Sequence, residues 1–192
     1  MTVTNKKTLA NFIANKHAVI VMKVMMGVIA LFAGSQLSIP IEPVPISMQT
    51  VVVSIIAFTY SPQLSFATIL TYLTAGIVGL PMFADLSSGL HCFFGTTCGY
   101  LIGMLLAAPV MGILNSRLSE KFTKRFLVVF FSCLIGHIII FFLGVSWLTT
   151  IIGIKQAIYS GFIIFIPTGL VKVLIFSSLY HYITGVNRKN AL

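Results

Sequence analysis

Long apolar runs recur along this chain, and only short breaks separate them. One run, residues 128–143, reads VVFFSCLIGHIIIFFL. Such runs are continuous, whereas strands of a membrane β-barrel alternate between apolar and polar residues. Only 8% of the residues are charged, against about 25% in a soluble domain. The pattern therefore predicts an all-α integral membrane protein.

The lengths of the apolar runs predict six transmembrane helices, since one crossing needs about 17–25 apolar residues. Two of the runs are short and lie side by side. Ser61 and Pro62 separate them, and proline both removes a helical hydrogen bond and clashes with the preceding turn. The six predicted helices cover about residues 18–37, 46–60, 64–80, 93–114, 126–148 and 158–183.

Basic residues cluster before and at the start of the first helix, between the fourth and fifth, and after the sixth. Cytoplasmic loops of membrane proteins are enriched in Lys and Arg, and six crossings place all three clusters on that side. We therefore expect a cytoplasmic segment at residues 1–17, a six-helix domain at 18–184 and a cytoplasmic tail at 185–192. The same enrichment explains the net charge of +9 without a nucleic-acid partner. The clustered residues are Lys6, Lys7, Lys16, Lys23, Arg117, Lys121, Lys124, Arg125, Arg188 and Lys189.

Three connections rich in Gly, Pro and polar residues fall on the opposite, outer face. They lie at residues 37–47, 79–100 and about 149–167. Non-helical backbone at membrane depth is tolerated only where it is buried in protein or lines a cavity, because lipid cannot satisfy its polar groups. These connections predict a ligand site that opens outward.

Three polar side chains near this face are candidates for ligand contact. Lys172 lies inside the sixth apolar run, where a lysine costs about 2.5–3.5 kcal/mol. It either binds an anionic ligand group or extends its charge to the membrane interface. Gln36 and Gln49 flank the first outer connection, and their amides either bind a neutral polar group or sit at the interface.

Asp85 and Glu42 are the two acids predicted outside. Each accepts hydrogen bonds from a ligand, pairs with a lysine, or faces water. A Cys92–Cys98 disulfide is an open alternative if the outer compartment is oxidising. We expect no metal site, because the histidines lack a ligand spacing. They are His91, His137 and His181.

A stripe of small residues runs along the first helix. Gly27, Ala30 and Gly34 recur at i, i+3 and i+7. Small residues let another helix approach closely. The stripe serves either internal packing or the docking of another subunit.

Three linked motifs resemble the BioY family, the biotin-binding S components of energy-coupling-factor (ECF) vitamin transporters. Residues 36–50 (QLSIPIEPVPISMQT) are similar to the family's QISIPLPPVPxTLQT region. Residues 79–84 (GLPMFA), 88–89 (SG) and 95–103 (GTTCGYLIG) are similar to its GLPVFA…GG…GPTGGYLxG signature. Residues 166–172 (IPTGLVK) are similar to its PGDLxK element. The likeness extends over about residues 25–185.

The resemblance implies a six-helix S-component fold with a biotin site on the outer side. It also implies that the small-residue stripe faces an ECF coupling subunit, that two partner ATPases use ATP, and that this chain binds no cofactor. Some family members are thought to work without that module. The implied location is the bacterial inner membrane. The implied substrate-binding residues are Pro45, Gln49, Phe83, Asp85, Ser88, Gly89, Tyr100 and Lys172.

In this reading Lys172 meets the biotin carboxylate, and Gln49 and the region of Asp85 bind the ureido group. Phe83, Phe93 and Phe94 form aromatic walls.

One departure from the family pattern bears on the ligand. Gly169 stands where the family has an acid. Either Asp85 replaces that acid in space, or the chain prefers another vitamin or a biotin precursor. An intramembrane enzyme would need paired acids or a metal set, and a purely structural subunit would bind no ligand.

Overall fold

The computed structural model of the protein describes residues 3–121 and 125–189, with side chains described for residues 16–120 and 125–184. The side chains of several predicted cytoplasmic residues lie outside these ranges, namely Lys6, Lys7, Lys121, Lys124, Arg188 and Lys189. The described chain is almost entirely helical. Its elements are α1 (Val3–Gln36), β1 (Ser38–Ile39), β2 (Ile46–Ser47), α2 (Gln49–Thr59), α3 (Pro62–Val78), a 3₁₀ turn (Ala84–Leu86), α4 (Gly89–Phe93), α5 (Cys98–Lys121), α6 (Arg125–Ile152), α7 (Ile154–Ile158), a π-helical turn (Tyr159–Ile163) and α8 (Phe165–Lys189).

Four helical stretches are long and apolar enough to cross a membrane. They are Lys16–Gln36, Cys98–Glu120, Arg125–Ile152 and Ile154–Thr184. The chain is therefore a multi-pass membrane protein. Helices α2 and α3 are also apolar, with 11 and 17 residues. At 1.5 Å per residue they rise about 16 and 25 Å, less than a hydrocarbon core of about 30 Å. The predicted count of six crossings and the side of the termini thus stay predictions.

The structure confirms the predicted break between the second and third helices. α2 ends at Thr59, and Pro62 is the first residue of α3, where its missing N–H costs no hydrogen bond. The Ser61 hydroxyl accepts a hydrogen bond from the backbone N–H of Leu64 at 3.4 Å. Serine and proline together therefore end one helix and begin the next.

The third outer connection is helical, which corrects the expectation of an open segment at about residues 149–167. α6 continues to Ile152, and α7 begins after Gly153. Gly153 has a φ of 81°, a conformation that favours glycine, so the chain turns there. Pro167 lies in the first turn of α8, where a proline is tolerated.

Two other helix boundaries differ from prediction. α1 begins at Val3, whereas the first helix was predicted to begin at about residue 18. α5 begins at Cys98, five residues later than predicted, because α4 and a turn occupy residues 89–97. Apolar runs locate helix centres better than helix ends, since the flanking turns here are themselves apolar.

The antiparallel helices α5 and α6 form the most extensive contact of the bundle. Small residues allow this close approach. A Cβ atom added to Gly103 would lie 2.8 Å from the Cα of Ile140, and one added to Gly112 would lie 2.8 Å from the Ala57 carbonyl oxygen on α2. α5 is thus held between α6 on one side and α2 and α3 on the other.

Gly103→Val should destabilise the protein by about 1–3 kcal/mol, since the added side chain meets backbone that cannot rotate away. The unfolding midpoint of detergent-purified protein measures the loss. Ala67→Val is the matched control, because Ala67 is exposed on α3. Equal midpoints for the two variants would show that α5 and α6 are not packed as described.

Candidate functional site

A cavity of about 60 Å³ lies at one end of the bundle. The β1–β2 hairpin, the first turns of α2, α5 and α8, and the second half of α6 surround it. Five of the predicted substrate-binding residues line this cavity: Pro45, Gln49, Phe83, Tyr100 and Lys172. Residues far apart in sequence therefore meet at one place, as a ligand site requires.

The other three predicted site residues lie outside the cavity lining. Asp85 is exposed to the surface in the 3₁₀ turn, with a φ of 55°. Ser88 and Gly89 lie at the start of α4. Asp85 therefore does not replace in space the acid that Gly169 lacks. In this segment Cys92 and Cys98 are both free thiols, so the open disulfide alternative is not adopted.

Lys172 connects α8 to the hairpin. Its Nζ donates a hydrogen bond to the Ser47 carbonyl oxygen at 2.6 Å, and both residues line the cavity. Lys155, by comparison, is exposed on α7. The Lys172 ammonium thus lies within the protein, at the cavity.

A chain of hydrogen bonds passes through Gln49, which is buried. The Ser47 hydroxyl donates to Gln49 Oε1 at 3.2 Å, and Gln49 Nε2 donates to the Tyr72 hydroxyl oxygen at 2.7 Å. The Tyr72 hydroxyl in turn donates to the Met82 carbonyl oxygen at 2.7 Å. The chain fixes the hairpin and the segment after α3 relative to α2 and α3.

Gln36 supports the site without lining it. Its Nε2 donates to the Phe83 carbonyl oxygen at 2.9 Å, and its Oε1 accepts from the backbone N–H of Leu86 at 3.2 Å. Both bonds hold the segment after α3 against the end of α1. They position the Phe83 ring, which is 6% exposed, at the cavity.

An aromatic wall of the cavity consists of Tyr100, Phe141 and Phe165. The ring centroid of Tyr100 lies 6.3 Å from that of Phe141 and 6.2 Å from that of Phe165. The Tyr100 hydroxyl is already used, since it donates to the Gly161 carbonyl oxygen at 2.8 Å. The ring, and not the hydroxyl, is what Tyr100 offers to a ligand.

Phe93 and Phe94, which were expected in the aromatic walls, do not line this cavity. Phe94 is 57% exposed and lies beside Trp147, with ring centroids 6.4 Å apart. Phe141 and Phe165 take their place, and the sequence offered no signal for them. A phenylalanine inside a continuous apolar run looks the same whether it faces a cavity, a helix or lipid.

Two polar residues of the lining, Thr50 and His137, were also not predicted as part of a ligand site. His137 is 4% exposed and lies midway along α6. A signal for it existed, because a polar ionisable residue inside a spanning helix is a functional candidate by default.

A second, larger hollow opens on the side of the bundle between α6 and residues 154–170. Its volume is about 840 Å³ and its lining is almost wholly apolar. Phe141, Gly169 and His137 line both this hollow and the cavity. An open apolar hollow at this depth suits lipid contact, whereas the smaller cavity collects the polar groups.

The small-residue stripe of α1 is divided by the packing. Gly27 and Gly34 are buried, and a Cβ atom on either would press against α3 or α2: 2.5 Å from Thr68 Cγ2, and 2.9 Å from Val52 Cγ2. The prediction of a single docking stripe is therefore wrong for these two glycines, which serve internal packing. Ala30 is exposed on the outer side of α1.

The bundle and its enclosed cavity define a class of protein. The fold is similar to that of a crystal structure described as the S-component for biotin from an ECF-type ABC transporter, with a TM-score of 0.77. The similarity covers 89% of this chain and 93% of the other, at 21% sequence identity. The chain is a multi-pass membrane protein with the S-component fold.

Comparisons of sequence define the family. The profile of the BioY family matches residues 5–189. A protein named probable biotin transporter BioY from Rickettsia prowazekii (strain Madrid E) is 53% identical over 91% of this chain and 88% of its own length. The biotin transporter BioY of Thermotoga maritima is 34% identical over 74% of this chain and 82% of its own. This chain belongs to the BioY family.

Proposed function

We propose that this chain is a membrane-embedded substrate-binding subunit for biotin uptake. It captures biotin on the outer face of the bacterial inner membrane and delivers it inward. The observation that carries the proposal is the buried cavity in which a lysine ammonium, an aromatic wall and polar side chains meet. The relatives described above are named as biotin transporters, and these names support transport, and not catalysis, as the function of this chain.

The cavity supplies a partner for each part of biotin. The Lys172 ammonium binds the carboxylate at the end of the valerate chain. The apolar ring and chain contact Phe83, Tyr100 and Phe141. Pockets of this kind hold a ligand mainly by apolar contact and orient it with a few polar groups.

Capture requires the cavity to widen, because 60 Å³ is far below the roughly 300–1,000 Å³ of a pocket that holds a drug-sized ligand. The hydrogen bond between Lys172 and the Ser47 carbonyl indicates how this happens. An arriving carboxylate competes for the same ammonium, and a charged acceptor makes the stronger bond. Exchange of the carbonyl for the carboxylate releases the hairpin and couples ligand entry to opening.

In the proposed topology, α2 and α3 complete six crossings and both termini are cytoplasmic. The cavity lies where α1 and α6 end and where α5 and α8 begin. Arg117 and Arg125 lie at the opposite end of α5 and α6. Because basic residues favour the cytoplasmic side, the cavity faces outward.

The proposed partners are an ECF transmembrane coupling subunit and a pair of ATPases. These subunits supply the energy for delivery, since this chain has no ATPase motif. Genes for them in the same genome, and co-purification with the tagged chain, are the observations that test the partnership.

Isothermal titration of the detergent-purified protein with biotin tests the proposed ligand. Saturable binding of biotin, with no competition from thiamine or riboflavin, is the expected result. Failure of biotin to bind, together with binding of another vitamin, would reject it.

A second candidate keeps the fold and changes the ligand. Gly169 lines the cavity one helical turn before Lys172, at the position where the family resemblance expects an acid. Its lack of a side chain alters the polar surface beside the lysine. A biotin precursor such as desthiobiotin belongs in the same titration, and tighter binding of the precursor than of biotin would favour this candidate.

A further inference from the structure

One histidine of the cavity has a ring nitrogen without a hydrogen-bonding partner. His137 is 4% exposed, and its Nδ1 lies 3.0 Å from the Cys133 carbonyl oxygen on the preceding turn of α6. Its Nε2 is buried and has no partner among the described residues. Buried polar atoms are nearly always paired, so an unpaired one that lines a cavity indicates a ligand contact.

The contact with Cys133 determines what Nε2 offers. A carbonyl oxygen only accepts hydrogen bonds, so Nδ1 carries the proton and donates it. Burial in the bundle favours the uncharged form of the ring. In the neutral ring with a proton on Nδ1, Nε2 is an acceptor. His137 therefore presents a lone pair, which suits an N–H or O–H group of a ligand.

A second unpaired atom lines the same cavity. Thr50 Oγ1 on α2 is buried and has no hydrogen-bonding partner in the described part of the chain. A hydroxyl both donates and accepts. Other buried atoms without partners, such as Ser132 Oγ, belong to residues outside the cavity lining. Among the described residues, the cavity thus holds one buried acceptor and one buried hydroxyl without a partner, in addition to the Lys172 ammonium.

We infer that His137 and Thr50 bind the neutral polar end of the ligand, a cyclic urea. A ring N–H donates to His137 Nε2, and the Thr50 hydroxyl donates to the urea carbonyl. Lys172 holds the carboxylate at the other end. The inference rests on the proposed function and assigns the ureido group to residues other than Gln49 and Asp85. Gln49 already bonds Tyr72 and Ser47, and Asp85 lies at the surface.

Titration of purified variants with two ligands tests this assignment. His137→Leu and Thr50→Val should each weaken biotin binding about 10-fold, the loss expected for one hydrogen bond. Unsubstituted protein should bind biotin about 10-fold more tightly than an analogue methylated at the ureido nitrogen that faces His137. Both monomethyl isomers are tested. His137→Leu should lose this discrimination, which a merely structural role of the ring would leave intact.

Ser132→Ala is the matched control, because Ser132 lies on the same helix and is buried, but not at the cavity. Its affinity for biotin should be unchanged. If His137→Leu does not fold, Thr50→Val carries the test alone. Wild-type affinity in Thr50→Val, or in a folded His137→Leu, would overturn the inference and leave biotin as the ligand. Absence of biotin binding by the unsubstituted protein would overturn the proposed function and the inference together.

Discussion

Lys172→Ala is expected to weaken biotin binding about 10- to 100-fold. The variant removes a charge-assisted hydrogen bond to the carboxylate, which contributes roughly 1.5–3 kcal/mol. Lys172 is the only one of the cavity-lining residues that carries a fixed positive charge. No other side chain at the cavity therefore compensates for its loss. Isothermal titration of the purified variant measures the change.

A second role of Lys172 has to be separated from this one. The same ammonium holds the hairpin through the Ser47 carbonyl, so its removal also frees the hairpin. Biotin methyl ester distinguishes the two roles, since the ester keeps the shape of biotin and lacks the anionic group. If the ammonium binds the carboxylate, the unsubstituted protein binds biotin more tightly than the ester, and Lys172→Ala binds the two alike.

Lys155→Ala is the control for a change of net charge. Lys155 is exposed on α7, near the same end of the bundle, so its loss should leave affinity unchanged. Undiminished affinity of Lys172→Ala would show that this lysine only anchors the hairpin. Discrimination against the ester that persists in Lys172→Ala would place the carboxylate elsewhere in the cavity.

The helices of this chain could be predicted from the sequence because a helix that crosses lipid needs a long run of apolar residues. Each predicted apolar run overlaps a helix, and Ser61 and Pro62 separate α2 from α3 as expected. The error lay at residues 149–167, where glycine and proline were taken as signs of an open loop. Gly161 is instead buried within the π-helical turn, beside the Tyr100 hydroxyl. Gly161 thus indicates close packing, whereas Gly153 does mark the break between α6 and α7.

The cavity could be predicted only in part. Lys172 and Gln49 were found because a polar residue next to apolar ones is conspicuous. Phe141 and Phe165 were not, because the side a helix turns inward depends on neighbours that a single sequence does not show. Asp85 was predicted as a substrate-binding residue because acids are rare in this chain. The rarity of a residue does not determine the direction in which a turn points its side chain.

Spacing alone also failed to separate the two uses of small residues on α1. The sequence spacing of Gly27, Ala30 and Gly34 places all three on one stripe. In the structure Gly27 and Gly34 face the bundle, and Ala30 faces outward. The alternative of internal packing therefore holds for Gly27 and Gly34. The docking role remains a proposal for Ala30 and for the outward face around it.

The outward face of α1 is apolar and has small residues among larger ones. Met26 and Ile29 on α1, and Leu37 directly after it, are 60%, 61% and 66% exposed, and the small residues Ala30 and Ala33 lie between them. Association of helices in a membrane depends on close packing at such small residues. This face is thus the part of α1 still available to a coupling subunit.

Ala30→Leu is therefore expected to abolish transport and to leave biotin binding intact. Added methylene groups in a well-packed contact cost about 1–3 kcal/mol, which weakens docking up to about 100-fold. The ligand cavity is unaffected, because Ala30 is not among its lining residues. Uptake of radiolabelled biotin by cells that express the chain with its coupling module measures transport, and titration of the purified variant measures binding.

The control is Ala67→Leu, the same substitution at an exposed position of α3. It should leave both transport and binding unchanged, so that a difference between the variants reflects location and not added volume. Transport at the normal rate by Ala30→Leu, in cells where uptake depends on the module, would exclude this face as the docking surface. Equal uptake with and without the module would mean instead that the chain works alone, and Ala30→Leu should then transport as well as the unsubstituted protein.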